Sequence, residues 1–189
     1  FSLRVNSYKI LYVSGEESAE QIHSRAERIG ALHPNITLLQ ETRLDEVLAT
    51  AAEFKPDIIL IDSIQTMNVD GSKNMNTGSP GQLRAAASML IDFARAKNIP
   101  ICMTGHITKD GQIAGPKLLE HSVDVVLYFE NQKFGQYRFI RSTKNRFGST
   151  GEIAVFEMTT KGLQEISGDR SLLQMADIGG VGSILFPQV

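Results

Sequence analysis

The sequence predicts an α/β fold: a mostly parallel β-sheet covered by helices, finishing in antiparallel hairpins. Three observations carry that prediction. First, short apolar runs, "YKILYV" at 8–13, "NITLLQ" at 35–40, "DIILID" at 57–62 and "IPICMTGH" at 99–106, alternate with stretches whose apolar residues recur at helical spacing. Repeated strand-helix-strand units of this kind build parallel sheets with right-handed crossovers. Second, the third run contains four apolar residues in an unbroken row, which suits a strand covered on both faces. Third, from Val125 onward the runs "VVLYFE", "YRFIRSTK" and "EIAVFEM" are separated by turn residues alone, the pattern of antiparallel hairpins.

Each element has a local cause. After the first strand, Ser18 with Gln21 three residues later forms a capping box, Ile22, Ala26 and Ile29 recur at helical spacing, and Gly30 stops the helix. Thr42 with Asp45 is expected to open the second helix, whose stripe is Leu44, Val47, Leu48 and Ala51 and which Pro56 ends. A loop rich in Gly, Asn and Ser runs from Ser63 to Ser79, and Leu83, Ala86, Ala87, Leu90, Ile91 and Ala94 then mark the longest helix. Residues 168–189 carry four glycines between Gly168 and Gly182 and few charges, and follow neither pattern.

Composition narrows the function classes. With 189 residues, 42% of them hydrophobic, the chain is long enough for a full core. The formal net charge of -2 argues against a generally basic nucleic-acid coat, so anion binding must come from local clusters. A single cysteine, Cys102, rules out an intrachain disulfide and a zinc site built on paired cysteines. No charged leader precedes a long apolar run and no stretch approaches the roughly 18 apolar residues of a spanning helix, so the expected address is cytoplasmic, with no membrane partner.

Ligands of parallel α/β sheets bind outside the carboxyl ends of the strands, which makes the polar residues there the ones to weigh. The first strand delivers Glu16 and Glu17, the third Asp62 and Ser63, the fourth Thr104 and His106, and all three sets are expected to face one crevice. An Asp ending a buried strand is rigid enough to hold the water shell of Mg²⁺ beside phosphates, although on this pattern alone Asp62 reads first as a cap of the next loop. Glu16 reads as a general base orienting a water against a γ-phosphate, or as an acid favoured by the dipole of the following helix. His106 reads as a hydrogen-bonding sensor of that phosphate or as a solvated loop histidine. Between Asn131 and Gly151 stand Lys133, Arg138, Arg141, Lys144 and Arg146 with no Asp or Glu, a cluster that reads as an anion site or as a solvated hairpin.

Taken together, "LYVSGEESAEQIHSRAERIG", "IILIDSIQTM", "GHITKDGQIAGPKLLEHSVDVVLYFE" and "RSTKNRFGSTGEIAVFEMTTKGLQEI" resemble the ATPase core of the bacterial RadA/Sms family over roughly residues 8 to 166, "KNRFG" being the most distinctive stretch. The family comprises RecA-like DNA repair proteins. The resemblance implies a RecA-like fold with ATP and Mg as cofactors. It makes Glu16 the catalytic carboxylate, Asp62 the magnesium aspartate with Ser63 beside it in the nucleotide site, and His106 the sensor. It further implies a homo-oligomer with ATP between subunits, so that Lys144 and Arg146 reach the γ-phosphate held by the next protomer while Phe147 and Gly148 shape the turn. The loops Ser63–Ser79 and Ile107–Gly115 would meet single-stranded or branched DNA during recombinational repair, with Lys73, Lys109 and Lys117 following the phosphate backbone. A recombinase is a further partner that the resemblance allows.

Departures from the family pattern set the expected boundaries. No G-x-x-x-x-G-K-[ST] phosphate loop, four-cysteine zinc ribbon or Lon-protease-like sequence occurs in the 189 residues. The expectation is therefore a RecA-like core over 1–166, truncated at its N-terminal side, an atypical tail over 167–189, and no ATP turnover by this chain alone. Two other readings stay open: the core of another RecA-like DNA motor such as a replicative helicase, and a catalytically dead binding or assembly module that keeps the in-trans cations.

Overall fold

The computed structural model describes residues 8–69, 78–106, 119–131 and 136–166. The chain divides after Val123 into two compact units. In the first, β1 (Ile10–Ser14), β2 (Ile36–Gln40), β3 (Ile58–Asp62) and β4 (Ile101–Met103) form one parallel sheet in the order β2-β1-β3-β4. The helices are α1 (Ala19–Arg28), α2 (Leu44–Phe54) and α3 (Pro80–Lys97), and a short 3-10 turn spans Ile64–Thr66. Because β1 sits between β2 and β3, the order of connection reverses beside it, which is where a doubly wound sheet opens a crevice at its carboxyl edge.

One face of this sheet carries the core. Leu11, Val13, Ile59 and Ile61 are buried against Leu44, Val47 and Ala51 of α2 and Leu83, Ala86, Ala87 and Leu90 of α3. Fully burying one such large side chain contributes about 1.5–3 kcal/mol. Of the expected stripes these seven helix residues are buried, while Leu48 of α2 and Ile91 and Ala94 of α3 are half-buried. The other face differs from expectation: Ile58 and Leu60 are only half-buried, and α1 buries none of its residues completely. Four apolar residues in a row gave one fully buried face.

The caps are read in part. Ser18 and Gln21 form the capping box ahead of α1, and Gly30 follows with a positive φ of 68°. Ser79 caps α3 by accepting the Gln82 N–H. At α2, however, the N-cap is Arg43 and not Thr42. Arg43 gives no side-chain cap; the Leu44 N–H bonds the Asn68 carbonyl at 2.8 Å and the Asn68 N–H bonds the Thr42 carbonyl at 2.7 Å, which ties the start of the helix to the segment after β3. Just before it, Glu41 Oε1 accepts the N–H groups of Thr42 and Arg43 at 2.9 and 3.0 Å and its Oε2 pairs with Arg43; the guanidinium first, then the two N–H groups, pull the Glu41 pKa down to about 2. Buried Gln82 fastens the turn after β3 to the start of α3. Its Oε1 accepts the Gly78 N–H at 2.7 Å, and its Nε2 donates to the Met67 carbonyl at 2.6 Å and to Asn68 Oδ1 at 2.9 Å.

The second unit is an antiparallel sheet of its own, with β5 (Val125–Asn131), β6 (Tyr137–Asn145), β7 (Ile153–Thr159) and the short β8 (Gly162–Glu165) in sequential order. The three hairpin strands fall where the sequence puts them. A register shift between Val126 and Leu127 interrupts the β5/β6 ladder. Among the described residues of this unit only Val155 is a buried hydrophobic. No helix among the described residues is long and apolar enough to cross a membrane.

Candidate active site

The approach of two strand ends begins with Gly15. Its N–H bonds the Asp62 carbonyl at 2.9 Å, and a Cβ at this position would lie 2.1 Å from Thr66 Oγ1. Only glycine lets the segment after β1 lie this close to the 3-10 turn after β3. The following residue, Glu16, is thereby carried over Ser63. Ser63 Oγ donates to Glu16 Oε1 at 2.5 Å, and His106 Nε2 lies 3.1 Å from the same oxygen. With a carboxylate as its partner, the His106 Nε2 carries the proton. Glu17 is occupied elsewhere: its carboxylate makes a two-pronged pair with Arg25, whose pKa that bonding raises, and its N–H bonds Ser14 Oγ at 3.2 Å. Of the two adjacent glutamates, Glu16 is the one aimed into the crevice.

Asp62 is held by two hydroxyls. Tyr12 donates to Oδ2 at 2.6 Å from β1, and Thr104 donates to Oδ1 at 2.7 Å from the end of β4. Burial, then the bond to Asp62, push the Tyr12 phenol well above its ordinary pKa, so it remains a donor. Backbone bonds lock the same corner: Thr104 N–H to the Ile61 carbonyl at 2.9 Å, and Ile64 N–H to the Thr104 carbonyl at 3.0 Å. Gln65 Nε2 reaches the His106 carbonyl at 3.4 Å. The strand-end residues named from sequence, Glu16, Asp62, Ser63, Thr104 and His106, are therefore joined in two small hydrogen-bonded groups at one edge of the sheet. Tyr12 was not read from sequence, where it is an aromatic in an apolar run, and a hydroxyl amid such a run was its only signal.

The cation cluster belongs to the second unit. Arg146 Nη1 pairs with Asp124 Oδ1 at 2.7 Å, and its N–H bonds the Asp124 carbonyl at 3.0 Å. Arg141 pairs with Glu130 across the β5/β6 ladder, also at 2.7 Å. Two of the cations thus meet carboxylates that stand just before the acid-free stretch in sequence. Lys144 lies opposite Val126 on β6. After it, Asn145 Oδ1 accepts the Phe147 N–H at 3.0 Å and shapes the turn, leaving Phe147 exposed. Lys73, Lys109 and Lys117 lie outside the described residues.

Known proteins resemble the chain closely in sequence. A DNA repair protein RadA of Aquifex aeolicus is 44% identical over 182 residues, 96% of this chain and 41% of the relative. A DNA repair protein RadA of Bacillus subtilis is 41% identical over 179 residues, 94% of this chain and 39% of the relative. The chain belongs to the RadA family. It spans about two fifths of the length of these curated relatives. No family model matches the RadA-family chain. The solved structure of the RadB recombinase aligns with 86% of it and 81% of that chain at a TM-score of 0.58 and 19% identity, so the fold is RecA-like. RadA membership agrees with the segments from "LYVSGEES" to "KNRFG" that suggested it.

Proposed function

We propose that this chain is the core of a RadA-like, ATP-dependent DNA repair protein acting on branched DNA in recombinational repair in the cytoplasm. The observation that carries the reading is the meeting of Glu16, Asp62, Ser63 and His106 at the carboxyl edge of the sheet beside the β1/β3 switch point. Glu16 keeps Oε2 for an attacking water, while Ser63 and His106 hold Oε1 and fix the direction of the carboxylate. His106, hydrogen-bonded to the base, is the group through which a γ-phosphate would be sensed.

The donor set also suits magnesium. Among the described residues no cluster of three His, Cys, Asp or Glu forms a cage. Mg²⁺ instead keeps several waters and is held by one or two carboxylates together with phosphates. Asp62, with each oxygen retaining a lone pair beside its hydroxyl partner, would hold that water shell. Bound there, the metal would neutralise charge on the phosphates. Lys144 and Arg146 would act in trans in a homo-oligomer, Arg146 exchanging Asp124 for phosphate oxygens. Lys73, Lys109 and Lys117 would follow the backbone of single-stranded DNA, each phosphate contact adding about -0.7 to the log-log salt slope.

Two measurements test the reading. The chain as it stands, with no phosphate-loop motif, is expected to give no saturable calorimetric signal with Mg-ATP, and a micromolar site would overturn that expectation. In a protein supplied with an N-terminal phosphate-loop segment, Lys144→Ala and Glu16→Gln should each lower turnover by about 10²–10³. Mixing the two should restore part of the activity, since some interfaces pair an intact cation with an intact base. A mixture as inactive as both parents, with subunits exchanging, would remove the in-trans role.

A further inference from the structure

The two donors that hold Asp62 come from different strands and end on different oxygens, Tyr12 from β1 on Oδ2 at 2.6 Å and Thr104 from the end of β4 on Oδ1 at 2.7 Å. A carboxylate on its own rotates broadly about χ2, because that torsion is soft. One donor leaves the plane free to swing, whereas two donors on opposite oxygens fix it. Neither donor is mobile at its base. Tyr12 stands between buried Leu11 and Val13, and Thr104 is tied by its N–H to Ile61 and by its carbonyl to Ile64. The chemistry of the donors matters as much as their position. A lysine or arginine would hold the carboxylate and also cancel its charge, making it a poor cation ligand. Neutral hydroxyls orient it and leave the negative charge for an incoming ion, with one lone pair remaining on each oxygen.

We propose that Tyr12 and Thr104 are positioning residues that clamp the Asp62 carboxylate from both sides for a divalent cation. This rests on the magnesium reading of Asp62 given above. Packing alone would require only the phenyl ring at position 12 and a branched side chain at position 104, so the hydroxyl-free isosteres Tyr12→Phe and Thr104→Val separate the two roles.

The test is a titration of the ¹⁵N-labelled chain with Mn²⁺ alone, read by paramagnetic broadening of the Ser63 and Gly105 amide signals. Partners that orient a metal ligand typically contribute about 10–100-fold in affinity. Tyr12→Phe and Thr104→Val should each weaken the Mn²⁺ response about 10-fold with melting temperatures near wild type, and Thr104→Ser, which keeps the hydroxyl, should restore it. Asp62→Asn should abolish it. If Asp62→Asn abolishes broadening while both isosteres respond as wild type, the clamp is overturned and the magnesium reading stands. If only one isostere weakens binding, a single hydroxyl does the orienting and the two-sided clamp is overturned. A wild-type chain with no Mn²⁺ response, or one unchanged by Asp62→Asn, overturns the magnesium reading and the clamp with it.

Discussion

In the parallel sheet Leu11, Val13, Ile59 and Ile61 are all essentially inaccessible to solvent, whereas in the antiparallel sheet Leu127 and Phe129 are 62% and 50% exposed and Val155 is the buried hydrophobic among the described residues. The first unit fixes its side chains by packing, and its polar groups inherit that rigidity. Glu16 follows and Asp62 ends a strand anchored in that core, and their partners meet them at ordinary hydrogen-bond lengths. The second unit is held by its backbone ladders and by cross-strand pairs such as Arg141 with Glu130. Its cations sit on exposed strands and turns, where changing a partner costs little. One sheet is built to aim groups and the other to present them.

Core truncation should break that contrast most sharply or confirm it. Ile59→Ala, at a fully buried position, is expected to cost about 2–5 kcal/mol, as large-to-small core changes do. Phe129→Ala, half-exposed, should cost about 1 kcal/mol. Urea midpoints of the two variants would measure the difference, and equal losses would show that the antiparallel sheet has a core as firm as the parallel one.

Gly15→Ala comes next. Its Cβ would meet Thr66 Oγ1 at 2.1 Å and Thr66 Cβ at 2.7 Å, an overpacking worth about 1–3 kcal/mol. Thermal melts should show part of that loss recovered by Thr66→Gly. No recovery would mean that something other than Thr66 sets the approach of the two strand ends.

A double-mutant cycle on Arg141 and Glu130 should return at most about 1 kcal/mol and shrink with added salt, because both side chains are close to half-exposed. A larger, salt-insensitive coupling would sharpen the picture by showing that the pair is desolvated.

The smallest effect is expected at Glu41 and is read as a pH dependence. Its folded-state pKa of about 2 lies below the ordinary 4.5, so its contribution is complete above pH 4.5 and is lost as the pH falls toward 2. The melting-temperature gap between wild type and Glu41→Gln should therefore close between pH 5 and pH 2. A gap that persists at pH 2 would assign the effect to packing.

What the sequence disclosed and what it withheld divide by distance along the chain. Ser18 and Gln21 are three residues apart, so the capping box was legible as a pattern, as were the stripes of α2 and α3. Strand-end polar residues were legible too, because the topology itself delivers them to one edge. Thr42 misled because the start of α2 is set by backbone bonds to Asn68, 26 positions on from Thr42, which no local pattern announces. The half-covered face of β3 could not be read from Ile58 and Leu60, since burial depends on what packs against a strand and not on its own composition. Tyr12 was hidden for a related reason: its hydroxyl finds Asp62 across 50 positions of sequence. The carboxylate partners of Arg141 and Arg146 lay outside the acid-free window, Glu130 on β5 and Asp124 just before it, where only folding brings them near.

Gln82 gives the start of α3 a single point of failure. One amide joins Gly78 on one side to Met67 and Asn68 on the other, at a position with 2% exposure, so three contacts stand or fall together. Removing a partner from a buried polar group typically costs about 1–3 kcal/mol. Gln82→Ala should therefore lower the melting temperature well below that of Arg84→Ala, an exposed change on the same helix, and equal melting temperatures would show that the amide holds nothing together.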